Sequence, residues 1–157
     1  MHRVLILGAG KIGALISGLL AESGSYKVNL GDVDGAAAES VAREHASSNL
    51  SSFALDASDG NALLKHLKEH PVDAVISSLP YYCNVTVAEA ARKSGTHYFD
   101  LTEDVEVTRA VRAIATGAKQ AFVPQCGLAP GFISIAAAEL ITHFDELRAV
   151  KQIGRHV

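Results

Sequence analysis

Cysteine is scarce and widely separated. The two in the chain, Cys83 and Cys126, form no C-x-x-C pair and no disulfide framework, so a reducing, cytoplasmic setting is expected. Long apolar runs are missing as well. The opening "MHRVLILGAG" has an apolar stretch of only Val4 to Leu7 before glycines follow, too short for a signal-peptide core or a membrane span. No basic run stands out, and 14 Lys+Arg against 17 Asp+Glu leave a net charge of −3. Neither nucleic acid nor a membrane is therefore an expected partner. A G-x-S-x-G elbow and a P-loop are both absent. So are repeats, linkers and low-complexity segments, the nearest being the polar loop Ala46–Ser52.

What is present suits one soluble domain: 157 residues, 48% hydrophobic and 20% charged. A chain of this size buries about 68–70% of its unfolded surface. Short apolar runs alternate with helical patterns. Strands are expected at Arg3–Leu7, Lys27–Gly31, Ser52–Leu55, Asp73–Ser77, Thr96–Phe99 and Ala121–Val123. Helices are expected at Lys11–Glu22, Ala36–His45, Asn61–His70, Val85–Ser94, Val105–Thr116 and Phe132–Thr142. In the first helix, Ile12, Leu15, Ile16, Leu19 and Leu20 are expected on the buried side. Strands separated by helices of about ten residues give an α/β fold, a doubly wound parallel sheet of Rossmann type with six strands in the order 3-2-1-4-5-6. Right-handed crossovers put helices on both faces.

"GAGKIG", Gly8 to Gly13, follows strand one and opens helix one. This is G-x-G-x-x-G in the context that dinucleotide binding requires. Gly8 allows a tight turn, Gly10 lets backbone approach a pyrophosphate, and Gly13 lets helix and strand sit close. Lys11 and Ile12 lie at the helix start, where free N–H groups attract phosphate. Asp32, about twenty residues beyond Gly13, is placed to chelate the adenosine ribose. A carboxylate there repels a 2′-phosphate, and Val33, Asp34 and Gly35 follow with no arginine. The expected cofactor is NAD rather than NADP. The alternative is that Asp32 caps helix two, although Asp34 is the better cap. Asp56, ending strand three, is open to contact with adenine or to a turn-forming role.

In open α/β sheets ligands lie beyond the carboxyl ends of the strands. Three of those ends carry conspicuous chemistry: "SSLPYYCN" from Ser77, "YFDLTED" from Tyr98 and "PQCGLAPGF" from Pro124. Ser78, Leu79 and Pro80 join the cofactor-facing set. Pro130 and Gly131 open helix six, whose N–H groups are expected to face the same crevice.

The set "LGAGKIG", "GDVD", "SSLPYYCN", "GTHYFDLTED" and "VPQCGLAPGF" resembles the N-terminal domain of saccharopine dehydrogenase-like reductases, and among these the lysine 6-dehydrogenase-like enzymes. The resemblance implies hydride transfer between NAD(P) and the carbon–nitrogen bond of an amino acid or amine. It also implies a second domain that binds the substrate, and a homo-oligomeric full-length parent. By the same resemblance Tyr81, Asp100 and Cys126 line the nicotinamide end, with Asp100 anchoring or exchanging a proton with the substrate nitrogen. Residues 1–148 are then the nucleotide-binding domain. Residues 149–157, with the alternation Val150 to Ile153, resemble the opening strand of a truncated second domain, and the chain alone is expected not to turn over.

Other candidates have plain explanations. His66 and His70 share a helix face among Lys65, Lys68 and Glu69, and no further metal ligands lie near in sequence. No metal site is expected. His97 lies inside a strand and reads as structural. The remaining alternative to an enzyme is a non-catalytic NAD-binding regulatory module, which would have no need of Tyr81, Asp100 and "CGLAPG".

Overall fold

The computed structural model describes residues 1–146 and Ala149. Six strands form one sheet: β1 His2–Leu7, β2 Tyr26–Asp32, β3 Leu50–Ala54, β4 Ala74–Ser77, β5 His97–Asp100 and β6 Phe122–Val123. Their order is β3-β2-β1-β4-β5-β6 and every pair is parallel. The helices are α1 Lys11–Glu22, α2 Gly35–His45, α3 Gly60–Glu69, α4 Asn84–Ser94, α5 Val105–Ala115 and α6 Phe132–Ile141. A single 3-10 turn, Tyr81–Cys83, leads into α4. This is the expected doubly wound architecture. The proposed opening strand of a second domain, Val150 to Ile153, lies outside the described residues.

Strand β1 shows why the sheet needs two covered faces. Val4, Leu5, Ile6 and Leu7 are all buried, as a strand covered on both sides requires. Val4 and Ile6 pack with Val28, Leu30 and the α1–α2 residues Ala21, Ala38 and Val41. Leu5 and Leu7 pack on the other face with Leu63, Leu67, Val87, Ala88, Val107 and Val111 from α3, α4 and α5. Successive side chains thus serve opposite cores.

Helix α1 departs from its expected orientation. Ile12, Leu15 and Leu19 are more than half exposed, while Ile16 and Leu20, partly buried, do pack against the core as expected. The face against the sheet is Gly13, Ser17, Gly18 and Ala21. Small residues let the helix axis approach: a Cβ at Gly13 would collide with the Gly8 carbonyl, and one at Gly18 with the His45 ring. Close approach decides which side faces inward, and it displaces the large side chains to the flanks. Helix α6 buries none of its residues; Phe132, Ile135 and Leu140 are each over 60% exposed.

Candidate functional site

The strand order reverses between β1 and β4, and the site gathers at that reversal. Gly8, with φ 100, turns the chain out of β1. A Cβ there would lie 2.8 Å from the Ser78 carbonyl oxygen, so this glycine also lets the end of β4 come close. Protein packing thus accounts for Gly8 and Gly13. It does not account for Gly10, whose absent Cβ would meet nothing within 4 Å.

Gly10 is the N-cap of α1, and no side chain caps that helix. Asp34, Asp59 and Asp104 cap α2, α3 and α5 through their carboxylates, whereas α4 and α6 share with α1 the lack of a side-chain cap. The first turn of α1 also carries no acidic residue. Its uncapped end and the open space over Gly10 fit a phosphate, which binds helix N–H groups and requires backbone without a side chain.

Asp32 stands at the end of β2, beside the glycine loop. Its carboxylate accepts from the Ala9 N–H at 2.6 Å and from the Asp34 N–H at 2.8 Å. Helix α2 is capped by Asp34, which accepts from Ala36 and Ala37 at 3.0 and 3.2 Å. Capping therefore does not explain Asp32. Asp56 accepts from the backbone N–H and hydroxyl of Ser58 at 2.9 and 2.6 Å, the turn alternative. Those bonds hold its carboxyl below the ordinary carboxylate range.

On the other side of the reversal lies a crevice of about 540 Å³, lined by Ile12, Ser78, Leu79, Tyr81, Leu101, Thr102, Glu103 and Asp104. Tyr81 is 58% exposed, its ring edge-on to Tyr82. Pro80 N-caps the 3-10 turn that carries Tyr81. The wall from Leu101 to Asp104 lies within the "YFDLTED" stretch that the sequence places at this edge, although none of these four residues is singled out there. These residues follow β5 directly, as the rule that ligands meet strand carboxyl ends requires.

The segment after β6 is a closed turn. Gly127 bridges Gly131, and the Phe132 N–H donates to the Gly127 carbonyl at 2.9 Å. Ile133 and Ser134 donate to Leu128 and Gly131. The first N–H groups of α6 are thus taken by the turn itself, which corrects the expectation that they face the crevice. The Ala129–Pro130 bond is cis. Cys126 is exposed and Cys83 buried, and both are free thiols. Burial, and then the charge of Asp100, push the Cys126 thiol up, so it is a poor nucleophile.

Asp100 does not stand at the crevice. It is fully buried, and its carboxylate accepts from Tyr98, Thr102 and Gln125 of its own chain. This departs from the substrate-facing role implied by the resemblance. His97 accepts from the Ala121 N–H at 2.9 Å, a structural role as expected. His66 stacks on Phe53 and lies 4.8 Å from His70 between ring centroids. Among the described residues no group of three or more His, Cys, Asp or Glu could hold a metal, and no helix is long and apolar enough to cross a membrane.

Known structures share this fold. Saccharopine dehydrogenase (L-Glu forming) of Saccharomyces cerevisiae superposes with a TM-score of 0.78 at 25% identity, over 91% of this chain and 31% of that one. Scyllo-inositol dehydrogenase of Lactobacillus casei, solved with NAD(H) and scyllo-inositol, gives 0.68 at 17% identity, over 91% and 41%. A myo-inositol dehydrogenase of Corynebacterium glutamicum gives 0.63 at 19%, over 91% and 42%. The chain thus spans less than half the length of each. The family model described as the saccharopine dehydrogenase NADP binding domain matches residues 4–124. With a glycine loop, an uncapped α1 and a carboxylate at the end of β2 already in place, the chain belongs to the saccharopine dehydrogenase NADP binding domain family.

Proposed function

We propose that the chain is the cofactor half of an oxidoreductase acting on the carbon–nitrogen bond of an amino acid or amine, with NAD preferred to NADP. The observation that carries the nucleotide reading is Gly10. No protein atom explains its missing side chain, and it sits at the uncapped helix end. The backbone from Gly8 to Gly13, with Lys11 and Ile12, would hold the pyrophosphate. Asp32 would hold the ribose hydroxyls and repel a 2′-phosphate, against the NADP of the family's description. Ser78, Leu79, Pro80 and Tyr81 would border the nicotinamide. The bound cofactor supplies hydride chemistry, and the protein supplies orientation.

The carbon–nitrogen assignment rests on family membership and on the saccharopine dehydrogenase match. A diamine such as lysine is the favoured substrate. Tyr81, exposed at the crevice, would orient it, and Cys126 would form a small polarizable wall. Catalysis needs a substrate held about 3–3.5 Å from the reacting carbon, which takes a second wall facing this one.

Calorimetric titration tests the cofactor. NAD should bind at least about tenfold more tightly than NADP, a gap of about 1.4 kcal/mol; equal or tighter NADP binding overturns the preference. For the substrate, NADH appearance is followed in the full-length gene product with lysine, other diamines and α-amino acids. Turnover of polyols but of no amine overturns the carbon–nitrogen reading.

A further inference from the structure

A buried polar chain runs beneath the crevice and joins four segments of the carboxyl edge. The Ser77 hydroxyl at the end of β4 donates to the Asn84 side-chain carbonyl at 2.6 Å. The Tyr98 hydroxyl lies 3.3 Å from the Asn84 backbone carbonyl and donates to Asp100 Oδ2 at 2.7 Å. Asp100 Oδ1 then accepts from the Thr102 N–H at 2.9 Å and from the Gln125 N–H at 3.0 Å. Ser77, Asn84, Tyr98 and Asp100 are each at most 1% exposed. Among the described residues no buried side-chain nitrogen or oxygen lacks a partner. Such a network is costly when half-satisfied and rigid when complete.

Its far end controls a strained residue. Gln125 has φ 64, a left-handed conformation that is strained for a non-glycine side chain. The same turn is tied a second time, by the Cys126 N–H to the Asp100 carbonyl at 2.8 Å. Thr102, the other residue on Oδ1, lines the crevice, and its hydroxyl accepts from the Asp104 N–H at 3.1 Å.

We propose that Asp100 is a positioning residue: its buried carboxylate fixes, through Thr102, the loop that walls the crevice after β5 and, through Gln125, the turn that follows β6. The proposal rests on the cofactor reading above. It differs from a substrate-contacting acid or base, because a residue without exposed surface whose carboxylate already holds three donors has no route to a substrate nitrogen. The donors are two backbone N–H groups and a phenol. Burial and the Asp100 charge push the phenol's ionisation far up, so it remains a donor.

The geometry makes asparagine a near-replacement. In Asp100→Asn the amide oxygen still accepts from Thr102 and Gln125. The amide nitrogen donates to the Tyr98 oxygen, whose proton turns toward the Asn84 carbonyl. Asp100→Ala removes both links. The two variants remove the same charge beside Cys126, so a difference between them reports position, not electrostatics.

The test uses the 157-residue chain and three readouts. They are the maleimide labelling rate of Cys126 with buried Cys83 as the slow reference, the affinity for NADH, and the affinity for ADP-ribose, which lacks nicotinamide. Asp100→Asn should stay within about twofold of wild type in all three. Asp100→Ala should raise labelling and weaken NADH by about tenfold each while leaving ADP-ribose unchanged. Should the alanine variant not fold, Asp100→Leu fills nearly the same volume without an acceptor for either N–H and should raise labelling equally. Labelling unchanged in the alanine variant, or in Asp100→Leu where that variant replaces it, overturns the proposal. So does an asparagine variant as disturbed as the alanine one. Failure of wild type to bind either nucleotide overturns the cofactor reading instead, and the labelling result still stands by itself.

Discussion

The carboxylate of Asp32 and the backbone N–H of Ala9 meet at 2.6 Å, joining the end of β2 to the middle of the glycine loop. This bond ties the loop to the sheet and, in the proposed cofactor reading, fixes the acid that would hold the ribose. Asp32→Ala should weaken NAD by roughly tenfold and narrow the gap to NADP, because the repulsion of a 2′-phosphate is gone. Titration of both nucleotides checks it. A variant that loses NAD and NADP affinity in equal proportion would reduce Asp32 to a loop support.

The glycines should separate stability from binding. Gly13→Ala forces a Cβ into the Gly8 carbonyl and should cost about 1–3 kcal/mol, as overpacking does. Gly10→Ser should do the reverse. Gly10 already has the extended backbone of an N-cap, with φ −67 and ψ 179, and a serine hydroxyl there gains a few tenths of a kcal/mol. The same hydroxyl takes N–H groups needed by phosphate. Thermal melts beside nucleotide titration read both: a slightly raised melting point with weakened binding is expected.

His66 should make stability fall on mild acidification. Burial, and then the nearby His70, lower its folded-state ionisation below the ordinary value of 6.5, against a small opposing pull from Glu69. The unfolded chain therefore takes up the proton first, and stability is lost as pH falls from about 7 towards 5. Asp73 and Asp56 have lowered values too, but an Asp with a depressed value loses its contribution only below about 4. Denaturant midpoints at pH 7.5 and 5.5 should differ more in wild type than in His66→Phe, which keeps the stack on Phe53. An equal difference in both contradicts the assignment.

The orientation of α1 gives a contrast on one helix. Leu15→Gln and Leu19→Gln, at exposed positions, should each change stability by no more than about 0.5 kcal/mol. Ser17→Val, on the buried small face, loses its bond to the Gly13 carbonyl and overpacks, and should cost about 1–3 kcal/mol. The ranking reverses if the apolar stripe faces the sheet.

Strand order, helix order and the glycine loop were legible because each depends on local signals: apolar runs, periodicity and a motif followed by a helix. Element ends lie within two residues of those expected. Asp34 as the cap of α2 was legible for the same reason. The face of α1 was not, because periodicity marks the large apolar side chains and says nothing about how closely Gly13 and Gly18 let the helix approach. Asp100 was legible as important yet not in its role. A strand-end carboxylate looks alike in sequence whether it faces a ligand or three donors of its own chain. Only its full burial and the Gln125 contact, made across the fold, decide between them. The turn from Gln125 to Gly131 hid its carbonyl caps in the same way.

The most direct measurement of the central claim is calorimetric titration of NAD into wild type and Gly10→Val, with a circular-dichroism melt of each. Nothing in the protein occupies the space beside Gly10, so the melt should remain close to wild type. A valine side chain would occupy the pyrophosphate position, so binding should disappear. Retained NAD affinity in a folded Gly10→Val would contradict the account.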